Sequence, residues 1–169
     1  MINRQFLLNN KNCDFHIALY QPDIAQNTGN IARLCVASNA TLHLIKPLGF
    51  SLSDRRLKRA GLDYWDNLKL VIHDSFSDFL LINSELRVFF CTTKSNNAYF
   101  SFEYQPHDCF VFGSETQGLP EKILENNKDF SINIPISSNV RSLNLSNSAS
   151  IILYEAIRQV CFNMYHNVG

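Results

Sequence analysis

Several features that would assign a chain of 169 residues to a familiar class are missing from this one. No stretch is long and apolar enough to span a bilayer. The N-terminal MINRQFLLNNKNCD holds only the three-residue apolar run Phe6-Leu7-Leu8, too short for the core of a secretion signal. The expectation is a cytosolic protein with no membrane contact. The five cysteines, at 13, 35, 91, 109 and 161, are odd in number, widely spaced and without a CxxC pair. That pattern argues against a disulfide framework and against a zinc site, and no metal is expected. Cys13/His16 and His107/Cys109 are close in sequence, but neither has a second pair at ligand spacing. There is no excess of charge of either sign: the formal net charge is zero. A general coat for nucleic acid would be basic, so any RNA contact here is local, and DNA is not expected as a partner.

The common phosphate and nucleophile signatures are also absent. GSETQG (113–118) has the glycine spacing of a P-loop, but Leu119-Pro120 stands where a lysine and a hydroxyl residue must follow. No GxGxxG follows a strand, which excludes the usual dinucleotide site. No GxSxG elbow occurs. The histidines at 16, 43, 73, 107 and 166 have no evident Asp or Ser arrangement and read as core or surface residues.

What is present is a globular composition, 46% hydrophobic and 18% charged, in a length that suits one domain with a proper core. Residues 1–14 read as a polar arm and 15–169 as the domain. Within it, strand-like segments (15–21, 41–47, 68–74, 86–93, 109–114, 130–136) alternate with helix-like ones (27–38, 53–61, 75–84, 119–127, 146–160). This predicts an α/β fold with a mostly parallel sheet flanked by helices, and a ligand site at the carboxyl ends of strands. The last helix carries one apolar stripe (Ala149, Ile152, Leu153, Ala156, Val160) and a second beside it (Ile151, Tyr154, Cys161, Phe162). Two stripes fit either a central core helix or a dimer interface.

Three segments at strand ends stand out. PDIAQNTGNIARLC (22–35) follows the first strand, FVFGSETQGLP (110–120) breaks a buried strand with two glycines around an acid, and NVRSLNLSNSAS (139–150) is a glycine-free loop of small polar residues. Taken singly they read as a capped helix with an exposed Arg, a glycine turn, and a polar loop with Ser146 as helix cap. Taken together, in this order, with KRAGLDYW (58–65) and TTK (92–94), they resemble the signature segments of the SPOUT class of RNA methyltransferases, and most closely its short TrmL-like branch. The resemblance covers about residues 15–159.

The resemblance implies a deep trefoil knot formed by roughly residues 86–160, which nothing in the periodicity suggests. It implies S-adenosylmethionine (AdoMet) as methyl donor, bent among three knot loops, with Cys91, Gly113, Ile134, Ser142 and Leu143 as its binding residues. The reaction implied is 2′-O-methylation of the wobble nucleotide of tRNA, bound through its anticodon stem-loop, by a homodimer whose site is shared between subunits. Arg33 and Asn144 are the implied catalytic residues, with Asn27 positioning Arg33 and Glu115 nearby. A guanidinium is an awkward proton acceptor, so Arg33 is expected to hold a phosphate and stabilise developing alkoxide charge. Arg55, Arg56, Lys58 and Arg59, followed by Tyr64 and Trp65, are expected to grip RNA, with Lys94 and Arg141 adding to that surface. Two other readings stand beside this one: a knotted RNA-binding protein without turnover, and methylation of a different RNA position.

Overall fold

The computed structural model describes residues 14–52 and 65–162. The helix expected at 53–61, with its basic cluster, therefore lies outside the described residues, as does most of the expected N-terminal arm. Six strands form one sheet: β1 (His16–Tyr20), β2 (Thr41–Ile45), β3 (Lys69–His73), β4 (Val88–Cys91), β5 (Cys109–Phe112) and β6 (Ser131–Ile132). Their order is β3-β2-β1-β5-β4-β6, and every pairing is parallel. The α-helices are α1 (Ala25–Ser38), α2 (Phe76–Ile82), α3 (Glu121–Asn126) and α4 (Leu145–Ile157).

The central strands are continuous apolar runs because both of their faces are covered. Phe89 and Phe90 are neighbours on β4, point to opposite faces, and are both buried. Phe89 joins Ile17, Leu19 and Phe110 in a core closed by Ile31 of α1 and Ile152 and Leu153 of α4. Phe90 joins Ala18, Ile45 and Val111 in a second core closed by Phe79 of α2 and Leu124 of α3. Burying each of these large side chains contributes about 1.5–3 kcal/mol, and the two cores fix which helices lie on which face.

Parallel pairing brings all the carboxyl ends of the strands to one edge. From β1 the chain moves outward through β2 to β3, whereas from β5 it ends beyond β4 at β6. The loops after β1 and β5 thus diverge from adjacent strands, which makes a crevice between them.

Two expectations are corrected at the C-terminal third. The last strand pairs over Ser131–Ile132 only. Asn133 turns away to the loop after β4, donating its N–H to the Asn97 carbonyl and accepting from the Tyr99 N–H, both at 2.8 Å. Residues 134–144 then run back over the strand ends to α4. That helix is capped by Asn144, not Ser146: the Asn144 Oδ1 accepts from the N–H groups of Ser146 (2.9 Å) and Asn147 (3.4 Å). Ala149, Ile152, Leu153 and Ala156 of its main stripe are buried as expected. In the second stripe Ile151 is half-buried and Tyr154 remains 46% exposed.

Candidate functional site

The three singled-out segments meet at that crevice. Glu115, in the loop after β5, accepts at Oε2 from the Asp23 N–H (2.8 Å) and at Oε1 from the Asn27 side-chain amide (2.9 Å). Asn27, in the first turn of α1, accepts in turn from the Asn144 amide at 3.0 Å. Asn144 spends its own Oδ1 on the N-terminus of α4. The Thr116 hydroxyl adds a fourth link, donating to Asp23 Oδ2 at 2.5 Å. A single polar chain therefore ties the loops after β1, β5 and β6 together.

Gly113 is demanded by the loop itself. A Cβ there would lie 2.0 Å from the carbonyl carbon of Gly118 and 2.2 Å from the nitrogen of Leu119. Gly118 closes the turn with φ of +71°, in the left-handed region, and its N–H bonds to the Ser114 carbonyl at 2.9 Å.

These loops enclose a cavity of about 720 Å³. Cys91, Gly113, Ile134, Ser142, Leu143 and Asn144 all line it, together with Asn27 and Glu115. Arg33 is not among the lining residues; it lies exposed on α1. Asn27 is bonded to Glu115 and Asn144. The cavity floor is apolar, from Phe112, Ile132, Ile134 and Ile152, and its rim is polar, from Thr92, Thr93 and Ser142. Ile134, Ser142 and Leu143 make no backbone hydrogen bond to any other described residue. An apolar slot edged by unspent backbone donors and acceptors suits a flat heteroaromatic ring joined to a polar sugar. The residues present therefore fit AdoMet. Burial holds the Cys91 thiol well above its ordinary pKa, so it stays protonated and serves as wall. Among the described residues no group of three or more His, Cys, Asp or Glu is placed to hold a metal ion.

Asp23 and Thr116 lie inside the segments 22–35 and 110–120, but neither is a candidate site residue on sequence grounds. Only the tertiary fold brings Asp23 and Thr116, 93 residues apart, together. A second unpredicted group lies away from the cavity. His16 Nδ1 meets His43 Nε2 at 2.9 Å, and His43 Nδ1 meets His73 Nε2 at 2.9 Å, forming a row of imidazoles across β1, β2 and β3.

The sequence profile of the SpoU rRNA Methylase family matches residues 14–154. A Methylovorus glucosotrophus protein, tRNA (cytidine(34)-2′-O)-methyltransferase, is 48% identical over 146 residues, covering 86% of this chain and 95% of its own. A solved structure described as giving insight into the 2-OH methylation of C/U34 on tRNA is 42% identical with a TM-score of 0.84, covering 89% of this chain and 97% of that one. The SpoU methyltransferase AviRb from Streptomyces viridochromogenes, solved in complex with AdoMet, shares the fold at 23% identity and a TM-score of 0.76, over 88% of this chain and 58% of that one. The return of residues 134–144 across the strand ends belongs to the α/β knot of this fold class.

Proposed function

The chain belongs to the SpoU rRNA methylase family, and within it we propose that it is a tRNA (cytidine(34)-2′-O)-methyltransferase, moving a methyl group from AdoMet to the ribose 2′-hydroxyl of nucleotide 34, a cytidine or a uridine. The observation that carries this reading is near-full-length similarity at 48% identity to a protein of that activity, combined with a cavity whose walls suit AdoMet. The proposed domain is residues 15–169, with the knot formed by roughly residues 86–160 of it.

AdoMet, when bound, supplies an electrophilic methyl on a sulfonium whose departure leaves a neutral thioether. The reaction forms one O–C bond and breaks one C–S bond in line, so what the protein must provide is position and exclusion of water. Ile134, Ser142 and Leu143 present backbone groups to the adenosine, Cys91 and Gly113 shape the wall, and Asn144 fixes the third loop through Asn27. Arg33 is the residue proposed to hold the RNA phosphate and stabilise the developing alkoxide, with the proton passing to that phosphate or to solvent. Since Arg33 does not line the cavity of its own subunit, the proposed enzyme is a homodimer in which Arg33 of one subunit serves the cavity of the other. No described helix is long and apolar enough to cross a membrane. The proposed setting is the cytoplasm, with the tRNA.

The test is incubation of the purified chain with unmodified tRNA and methyl-labelled AdoMet. Label recovered as a 2′-O-methyl nucleoside at position 34 supports the reading. Label at another position, or on a base, overturns it.

A further inference from the structure

The cofactor cavity is not closed on the side of the third loop. A second cleft of about 350 Å³ adjoins it, sharing Thr93, Ile134, Ile136 and Arg141 with the first. Its walls add Pro135 and Val140, apolar, and Ser137 and Ser138, polar. Val140 is 52% exposed, an aliphatic side chain left open at the mouth.

The charges at this junction are one-sided. Arg141 lines both spaces, and Lys94 stands at the mouth of the larger one. Both are exposed, and neither has an ion-pair partner among the described residues. Among the described residues Glu115 is the only carboxylate lining the larger cavity, and both its oxygens are already accepting hydrogen bonds. The mouth is therefore an uncompensated positive spot where the two spaces meet, on a protein of zero net charge.

The chemistry of a ribonucleotide says what belongs there. A 2′-hydroxyl is vicinal to the 3′-oxygen, so the phosphodiester leading to the 3′ neighbour lies next to the reacting oxygen. If the reacting 2′-hydroxyl enters the larger cavity, that phosphodiester emerges at its mouth, and the next nucleotide must go into whatever space adjoins. We propose that the 350 Å³ cleft is the subsite for the nucleotide 3′ to the methylated one, with Arg141 gripping the phosphodiester that joins the two. Pro135 and Val140 offer the unstacked base an apolar surface, and the planar fork of Arg141 suits two phosphate oxygens at once. Arg141 thereby sets the register that presents one 2′-hydroxyl and not its neighbour. This inference rests on the RNA 2′-O-methyltransferase reading above.

The experiment uses full-length tRNA assembled with one uncharged methylphosphonate, placed 3′ or 5′ of nucleotide 34, and the fully charged tRNA as control. Dissociation constants are measured for the wild-type chain and for Arg141→Ala. The wild type should bind the 3′-substituted tRNA roughly tenfold more weakly than the control. Arg141→Ala should bind the control roughly tenfold more weakly than wild type, and lose nothing further from the 3′ substitution. The 5′ substitution should act on both proteins alike, and the salt slope of log K should fall by about 0.7 in the variant. AdoMet affinity should be unchanged. Equal sensitivity of both proteins to the 3′ substitution would overturn the subsite. So would a loss of AdoMet affinity in Arg141→Ala, which would place the guanidinium on the donor's carboxylate. Absence of methyl transfer to nucleotide 34 of the control tRNA by the wild type would instead overturn the function itself, a result distinct from either of these.

Discussion

The side-chain amide of Asn144 donates to Asn27 Oδ1 at 3.0 Å, across 117 residues of chain. Asn27 passes the constraint on to Glu115 at 2.9 Å, so one amide holds the loop before α4 and the loop after β5 in fixed relation. An amide suits this place because it accepts on one side and donates on the other.

Asn27→Asp removes the donor and sets a carboxylate against Glu115. The variant should lose about 1–3 kcal/mol of stability in urea denaturation, because a partly buried network is left unpaired. Methyl transfer should fall by roughly 100-fold, since loss of loop position costs far more in rate than in folding. Unchanged activity would show that the three loops hold themselves without this link.

Gly113→Ala tests the backbone origin of the tight turn. The added methyl meets main-chain atoms at 2.0 and 2.2 Å, and main chain cannot swing aside as a side chain would. A loss of about 2–3 kcal/mol in stability is expected, with AdoMet affinity reduced at least tenfold by calorimetry. A variant that binds AdoMet normally would mean that the loop has another conformation open to it.

Arg33→Lys separates point charge from bidentate geometry. Arg33 is exposed on α1, so folding stability should change by no more than about 0.5 kcal/mol. If the fork grips a phosphate, methyl transfer collapses while AdoMet binding survives. Partial activity would show that a positive charge suffices.

The histidine row makes stability depend on pH. Burial, and secondarily the neighbouring His16 and His73, push the His43 pKa down to about 3, and His16 and His73 are also lowered, chiefly by burial. The groups acting on the ends of the row are Asp14, Lys69 and His107 at His16, and Asp78 at His73. An unfolded histidine titrates near 6.5, so below that pH the unfolded chain binds protons that the folded chain refuses. Stability should therefore be level above about pH 7 and fall as pH drops below 6.5, by about 1.4 kcal/mol per pH unit for His43, with His16 and His73 acting in the same direction. Urea titrations between pH 4.5 and 7.5 measure the slope. His43→Gln, which keeps a donor and an acceptor, should reduce it by about one proton's worth.

Periodicity sufficed for the sheet and most helices, because buried parallel strands and a one-faced α1 have strong local signatures. It overran the last strand, where Ile134-Pro135-Ile136 look like sheet but line the cavity and its adjoining cleft once Asn133 pairs with the loop after β4. It chose Ser146 over Asn144 as the α4 cap, since both residue types cap well and only the tertiary bond to Asn27 fixes where Asn144 sits. The signature segments marked the site as a resemblance. The Asp23–Thr116 contact and the histidine row had no local signal, because each joins residues at least 27 apart. His43, in the middle of the apolar strand β2, was the one hint of the row.

Amide hydrogen exchange with and without AdoMet tests most directly whether the loops around the cavity form the AdoMet site. Added protection is expected to centre on residues 91–94, 113–119 and 132–145, the stretches that supply most of the cavity lining. Protection centred elsewhere, or none at saturating AdoMet, would contradict that assignment.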